Sequence, residues 1–248
     1  MFKKYFLLFL LGHVLGDFYT QTTEMAERKK NKLGWVFMHG LIYFLTFIVI
    51  SIPFFSIEVI LIDVVLSLLH LGIDITKYWV TKGKREKTKV FLIDQGLHIF
   101  CLGMIAYICA DYRIPLTEIT FVSNIFSTIG LSEVLVCKWL LGLLIIHKPA
   151  NIMIQNLIGN YKPKTKVDST EIKFDNNVGR VIGTVERVIM FILIYMNQYS
   201  ATGLVLTAKS IARYNKIANE KDFAEYYLLG TLISLGIVIA CAVLLFGA

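Results

Sequence analysis

The sequence predicts an all-α fold: a polytopic transmembrane helical bundle of about seven spans plus an interfacial helix. Three observations carry that expectation. Of 248 residues, 56% are hydrophobic and the mean hydropathy is +0.65, against an apolar share of roughly 45–50% in soluble domains. Several uninterrupted apolar runs are long enough to cross a bilayer, which takes about 20 residues of helix. The net charge of +7 is gathered into alternate loops. In hydrocarbon each backbone polar group must be satisfied within its own segment, so such runs read as helices.

The expected elements follow in order. A first span covers Tyr5–Gln21, followed by the basic loop "TEMAERKKNK". The opening "MFKKYFLLFLLG" has the look of a signal peptide, but no A-x-A-like site follows and we expect it to be retained. Further spans are expected at Trp35–Ile52, closed by Pro53, at Glu58–Val80, ahead of the basic loop "TKGKREKTK", and at Val90–Ala110. Residues 1–110 thus form a four-span domain. Residues 111–160 are expected to supply an outer loop with a surface helix, a fifth span at Leu131–Ile146 and an amphipathic interfacial helix, "HKPANIMIQNLIGNY". A polar linker (161–177) leads to the C-terminal membrane helices (178–248). These comprise Val178–Tyr199, a poor segment at Ala201–Lys216 carrying Lys209 and Arg213, and Ala224–Leu245.

Lys and Arg crowd the loops at Arg28–Lys32, Lys82–Lys89, Lys148–Lys173 and Lys209–Lys221, and are nearly absent near Pro53, Asp111–Gly130 and Ser200. The positive-inside rule places the crowded loops in the cytoplasm of a bacterial inner-membrane protein and, with the poor segment counted as crossing, both termini outside. Lys3 and Lys4 run against this assignment. No long basic tract suited to nucleic acid is present. Cys101, Cys109, Cys137 and Cys241 lie in apolar surroundings without a C-x-x-C pair and read as reduced, buried hydrophobes.

Ionisable residues within these spans form the main functional signal. His13 and Asp17, His70 and Asp74, and Asp94 and His98 are three His/Asp pairs at a spacing of four, which share a helix face. The chain holds only five histidines, so three such pairs are a coincidence of about one in several hundred on helical facing alone. His39 adds a fourth intramembrane histidine. In the expected topology most of these groups lie within roughly 15 Å of the cytoplasmic boundary, at 1.5 Å rise per residue. A charged group in a membrane helix costs about 2.5–3.5 kcal/mol on insertion scales, so such a set needs a function or a partner. Imidazole and carboxylate without thiolate suit zinc, with manganese or iron as alternatives. Seven potential ligands fit two ions bridged by a carboxylate, or one ion with a general base and supporting partners. A proton or ion relay and buried His–Asp pairs that merely tie helices together are the competing readings. His147, beside Lys148–Pro149 at a span end, reads as interfacial.

The motifs "GHVLGDFYTQ", "MHG", "HLGIDITK" and "DQGLH" resemble the bacterial membrane family called domain of unknown function 3307 over about Leu8–Ala106. The C-terminal stretches "GRVIGTVERVIM", "AKSIARY" and "EYYLLGTLIS" are similar to the tail of its longer members. The family carries no established activity. A looser similarity links it to membrane proteins labelled as metal-dependent hydrolases.

A second group of charges lies in the C-terminal half: Glu186, Arg187, Lys209, Arg213 and Glu225. Internal pairing of Glu186 or Glu225 with Lys209 or Arg187 is one expectation, an anion pocket facing the metals the other. H-E-x-x-H, G-x-x-x-x-G-K-[ST], G-x-S-x-G and G-x-G-x-x-G are all absent, which argues against gluzincins, P-loop ATPases and serine hydrolases. The function expected from the sequence is a membrane-embedded, metal-dependent hydrolase acting at the cytoplasmic side, with a phosphorylated lipid as substrate. The ion would hold the attacking water. Asp17, Asp74 and Asp94 would be ligands or base, and Lys77, Gln95, Arg187, Lys209 and Arg213 would bind substrate. The alternatives are a metal-ion or proton-coupled transporter, and a binding or immunity protein that uses the metal to hold its fold.

Overall fold

The structure, a computed structural model, describes residues 1–82, 88–161 and 169–247, without the side chains of residues 160 and 169–177. Every regular element among them is helical: α1 (Phe2–Val14), α2 (Thr23–Arg28), α3 (Leu33–Ser51), α4 (Ile57–Thr81), α5 (Thr88–Asp111), α6 (Thr120–Ile129), α7 (Glu133–Ile158), α8 (Ser169–Tyr195), α9 (Tyr199–Ala212), α10 (Tyr214–Asn219) and α11 (Lys221–Phe246). The chain divides into two compact units, Met1–Leu141 and Gly142–Ala248, with the boundary inside α7.

The starts and stops follow local chemistry. Thr22 caps α2 and Ser56 caps α4, each hydroxyl accepting a backbone N–H three residues on. Pro53 ends α3 in a short 3₁₀ turn, Ile52–Phe54. Gly130, at φ 72°, closes α6 in the left-handed conformation.

In the N-terminal unit α1 packs on α3 and α5, and α4 packs on α3 and α5, which closes a ring of four helices. Its interior is divided along its length. Tyr5, Leu8 and Phe9 early in α1, Tyr43 and Phe47 late in α3, Ile62 and Leu66 early in α4, and Leu102, Ala106 and Cys109 late in α5 form the apolar core. The His/Asp pairs sit at the opposite ends of the same helices, because consecutive long helices run antiparallel. Outward-facing positions are apolar too. Phe37, Leu41, Leu45 and Val49, spaced by four on α3, are each about half exposed, as a lipid-facing stripe requires.

Five helical segments are long and apolar enough to cross a membrane: Leu33–Phe54, Ile57–Thr81, Thr88–Asp111, Glu133–Ile158 and Lys221–Phe246. The expected count of about seven is not reached among the described residues. The expected first span is a 13-residue helix that gives way to a π-helical turn, Leu15–Tyr19. The expected span Ala201–Lys216 is broken at Arg213, leaving a 14-residue α9; at 1.5 Å per residue that is about 21 Å, against a hydrocarbon core of about 30 Å. The separate fifth span and interfacial helix are also corrected. They form one helix, α7, which continues through Pro149. The expected linker at 161–177 and much of the loop Lys82–Lys89 lie outside the described residues. The four cysteines are free, but Cys101 and Cys137 are only half-buried.

In the N-terminal unit the closest helix approaches are at Gly12 and Gly16. A Cβ at Gly12 would lie 2.6 Å from Cζ of Phe47, and one at Gly16 would lie 2.6 Å from Cδ2 of Tyr43. Gly12→Ala should therefore cost about 1–3 kcal/mol through overpacking and lower the melting temperature. Gly96→Ala, where nothing lies within 4 Å of the added carbon, should leave it unchanged or slightly higher. Equal melts for the two variants would contradict this packing.

Candidate metal centre

Each of the four ring helices brings its ionisable residues to the same end of the bundle. His13, His39, His70, Asp74, Asp94 and His98 are all at most 5% exposed. Asp17 sits in the middle of the π turn, where the wider winding departs from α-helical facing; single π turns recur at functional sites. Thr20 N–H donates to the Leu15 carbonyl at 2.9 Å, five residues back, and the Thr20 hydroxyl donates to the Gly16 carbonyl.

The shortest contacts join different helices. Nε2 of His39 lies 3.0 Å from Oδ1 of Asp17, 3.1 Å from Nε2 of His70 and 3.6 Å from Oδ2 of Asp74. Nε2 of His70 lies 3.8 Å from Oδ1 of Asp17 and 3.7 Å from Oδ2 of Asp74. These four atoms, one from each of four side chains, outline a small cage. A tetrahedral ion with bonds of about 2.0–2.1 Å places its ligands about 3.3–3.4 Å apart, inside the range of the five distances that involve His39 and His70.

A second set adjoins the first. His98 Nε2 lies 3.6 Å from Asp94 Oδ1, and both atoms are buried without a hydrogen-bond partner among the described residues. With Asp74 they form a group whose ligand atoms lie within 4.8 Å of one another; His13, His70 and His98 form another, and Asp17, His39 and His70 a third. Such groups could hold a metal ion. Asp74 reaches both the first cage and the second set, and so stands where a bridging carboxylate would. Buried polar atoms left unpaired cost about 1–3 kcal/mol each, so orphaned atoms facing one another call for a ligand between them.

The surrounding side chains fix this arrangement. Gln95 donates from Nε2 to Asp17 Oδ2 at 3.0 Å and to Asp94 Oδ2 at 3.3 Å, while its Oε1 lies 3.3 Å from His13 Nε2. Nδ1 of His13 lies 3.3 Å from the Tyr43 hydroxyl. The Tyr43 ring stacks on His70 with centroids 3.6 Å apart, and His70 stacks on His98 at 4.3 Å. Lys77 donates to Asp94 Oδ2 at 3.0 Å, and Lys29 donates to Asp74 Oδ2 at 3.1 Å.

All seven expected ligands, together with Lys77 and Gln95, therefore meet in the N-terminal unit. Sequence reasoning missed Tyr43, Lys29 and Asp63. Tyr43 sits four residues after His39, on the same face, but passes for an ordinary core aromatic. Lys29 belongs to a loop whose basic residues were read as topology markers. Asp63, fully buried, lies seven residues before His70, two helical turns away; its carboxylate lies beside Ser51, with neither group in a well-formed hydrogen bond.

The other expected substrate residues lie in the C-terminal unit, where Arg187 and Lys209 are held by internal partners. Arg187, 2% exposed, donates from Nε to the Ile146 carbonyl at 2.6 Å, from Nη2 to Asn151 Oδ1 at 2.7 Å and from Nη1 to the Ser234 hydroxyl at 3.4 Å. Pro149 lacks the N–H that would bond the Ile145 carbonyl, so the ladder of α7 is already opened where the guanidinium docks. Arg187 thus takes neutral partners in place of the expected glutamate. Lys209 donates to Glu186 Oε2 at 2.6 Å and lies over the Tyr227 ring, in line with the internal-pairing expectation. Glu225 lies 3.9 Å from Lys221. Arg213 sits at the break between α9 and α10.

The family model described as a protein of unknown function (DUF3307) matches residues 5–127. No curated protein and no solved structure matches the chain. The matched region holds every residue of the His/Asp cluster, Lys29, Lys77 and Gln95; Arg187, Lys209 and Arg213 fall outside it.

Lys209→Met should leave Glu186 part-buried and unpaired. The expected loss is about 3 kcal/mol, the low end for a broken buried pair because both side chains retain some solvent. The double variant Lys209→Met/Glu186→Met should recover most of it, as read by thermal melts. A Lys209→Met protein as stable as wild type would contradict the pairing.

Proposed function

The chain belongs, through residues 5–127, to the DUF3307 family, and from the geometry of its site we propose that it is a membrane-embedded, metal-dependent hydrolase. The observation that carries this reading is the cage in which His39 Nε2 and His70 Nε2, 3.1 Å apart, each lie 3.0–3.8 Å from Asp17 Oδ1 and Asp74 Oδ2. The adjoining pair Asp94 Oδ1 and His98 Nε2 supports a second ion. Zinc suits the first cage by donor type and spacing; manganese and iron accept the same donors.

A divalent ion there would supply Lewis-acid polarisation and a water nucleophile at neutral pH. The chain's own residues do the rest. With an ion in the first cage, Asp94, whose Oδ1 has no hydrogen-bond partner among the described residues, is the carboxylate left to take a proton from water. Gln95 holds the second oxygen of Asp17 and so orients it. In hydrolysis of a phosphate monoester, the water oxygen ends on phosphorus and the ester P–O bond breaks. The departing alkoxide takes one proton and the other passes to the base. A phosphorylated lipid is the substrate we propose, because its head group would lie at the depth of the cluster. The cluster then faces the cytoplasm, as the Lys/Arg loop pattern requires.

A second reading draws on Asp63. A carboxylate buried two turns from His70, toward the opposite end of α4, extends the polar groups along the bundle and suits a carrier for metal ions or protons. Asp63→Asn would abolish uptake into proteoliposomes if the protein is a carrier and leave hydrolysis intact if it is an enzyme.

His70 belongs to two of the three ligand groups. His70→Ala should therefore reduce bound metal to background by elemental analysis while the protein remains extractable and helical. His147→Ala should retain it. Wild-type protein free of transition metal under non-chelating conditions would contradict the reading. For the topology, cysteines placed at Asn31 and Thr117 in a cysteine-free background distinguish the two faces. Asn31→Cys should resist an impermeant thiol reagent in intact cells and Thr117→Cys should react; the reverse pattern would move the site to the outer face.

A further inference from the structure

Two ammonium groups already sit against the carboxylates of the cluster. Lys29, at the C-terminal end of α2, donates to Asp74 Oδ2 at 3.1 Å and to Gln21 Oε1 at 2.9 Å. Lys77, one turn beyond Asp74 on α4, donates to Asp94 Oδ2 at 3.0 Å. The two lysines come from different elements, yet each holds a different carboxylate of the second ligand group. Their side chains are 14% and 18% exposed, whereas Asp74 and Asp94 are 3% and 5% exposed. The lysines therefore form the rim and the carboxylates the floor.

The charge balance differs with and without ions. With neutral imidazoles, as metal ligation requires, three carboxylates against two ammoniums leave one negative charge. One divalent ion turns this into a single positive charge, and two ions into three. The oxygen that Lys29 holds is the same Asp74 Oδ2 that completes the first cage. An ion entering that cage competes directly with the ammonium. A lysine on a flexible four-carbon stem can swing from the displaced contact to an anion arriving at the rim.

Resting on the metal reading above, we propose that Lys29 and Lys77 are stand-in cations. They neutralise Asp74 and Asp94 while the cages are empty; Lys29 gives Asp74 Oδ2 up to a divalent ion, Lys77 holds Asp94 Oδ2 beside the ligand oxygen Oδ1 until the added positive charge loosens it, and both then clamp the phosphate of the substrate. The site so formed is specific for a dianionic oxyanion, a phosphate monoester or the terminal phosphate of a diphosphate. Gln21, the last residue of the first motif, positions Lys29 for this exchange. Two properties follow. Phosphate binding requires prior metal binding, because without it the ammoniums are occupied. Removing either lysine weakens phosphate binding without weakening metal binding.

The test uses the full-length protein in detergent, and titration calorimetry with zinc alone, then with inorganic phosphate on the zinc-loaded protein. Lys29→Met and Lys77→Met should bind zinc at least as tightly as wild type, since no ammonium has to be displaced. Each should lose about tenfold in phosphate affinity, as expected for one charge-assisted hydrogen bond. Lys29→Arg should keep most of it. Zinc-free wild type should bind no phosphate, a measurement that stands even if a variant fails to fold. Repeating the phosphate step with phosphatidic acid in phosphatidylcholine nanodiscs distinguishes a lipid head group from free phosphate. Loss of zinc binding in the lysine variants would make the lysines structural and overturn the proposal. So would wild-type phosphate affinity in both variants, or phosphate binding by the zinc-free protein. Wild-type protein that binds no zinc would overturn the metal reading itself, whereas zinc binding with unaltered phosphate affinity in the variants would sink only the lysine exchange.

Discussion

Three carboxylates and four imidazoles sunk into one end of a four-helix ring impose the constraint on which the N-terminal unit depends. In a low-dielectric interior none of these groups is stable alone. Each must be satisfied by a side chain from another helix, and the helices are therefore held at fixed rotation and depth. His39 ties α3 to Asp17 after α1 and to His70 on α4, while Gln95 ties α5 to the same aspartate. Gly12 on α1 and Gly16 in the π turn serve the same end by letting Phe47 and Tyr43 of α3 approach closely. The apolar half of the ring supplies cohesion, and the polar half specifies which arrangement of four otherwise similar helices is adopted.

Much of this was legible in the sequence because the relevant signals are local. A spacing of four places His70 over Asp74 and His98 over Asp94, and alternating basic loops bring the ends of successive spans to one level. Both inferences need only helical geometry and an antiparallel order of spans. The contacts that make the site lie between helices, and no local period encodes them. The 3.1 Å approach of His39 to His70 and the reach of Lys29 to Asp74 depend on which helices are neighbours in the ring. The π turn at Leu15–Tyr19 was hidden for another reason. It changes the facing of Asp17 relative to His13, and the spacing of four taken from an ideal helix does not carry over.

The C-terminal unit illustrates the opposite outcome. Charged residues there suggested either internal pairing or a ligand pocket, and Lys209 pairs with Glu186 while Arg187 takes neutral partners. Arg187 spends its donors on a carbonyl, an amide and hydroxyls around the opened ladder at Pro149. The polar, amphipathic character of His147–Tyr161 suggests a separate interfacial helix, whereas α7 runs on through Pro149. Its actual continuation depends on α8 supplying a donor to the freed region of α7, a tertiary contact.

X-ray absorption spectroscopy of the purified protein tests the central claim most directly. The cage of two imidazoles and two carboxylates predicts a metal edge with a first shell of nitrogen and oxygen at about 2.0–2.1 Å and outer-shell scattering from imidazole rings. None of the candidate ligand groups among the described residues includes a cysteine, so no sulfur shell at about 2.3 Å is expected. A sulfur shell, or a protein loaded with divalent ions that gives no imidazole scattering, would contradict the assignment of the His/Asp cluster as a metal centre.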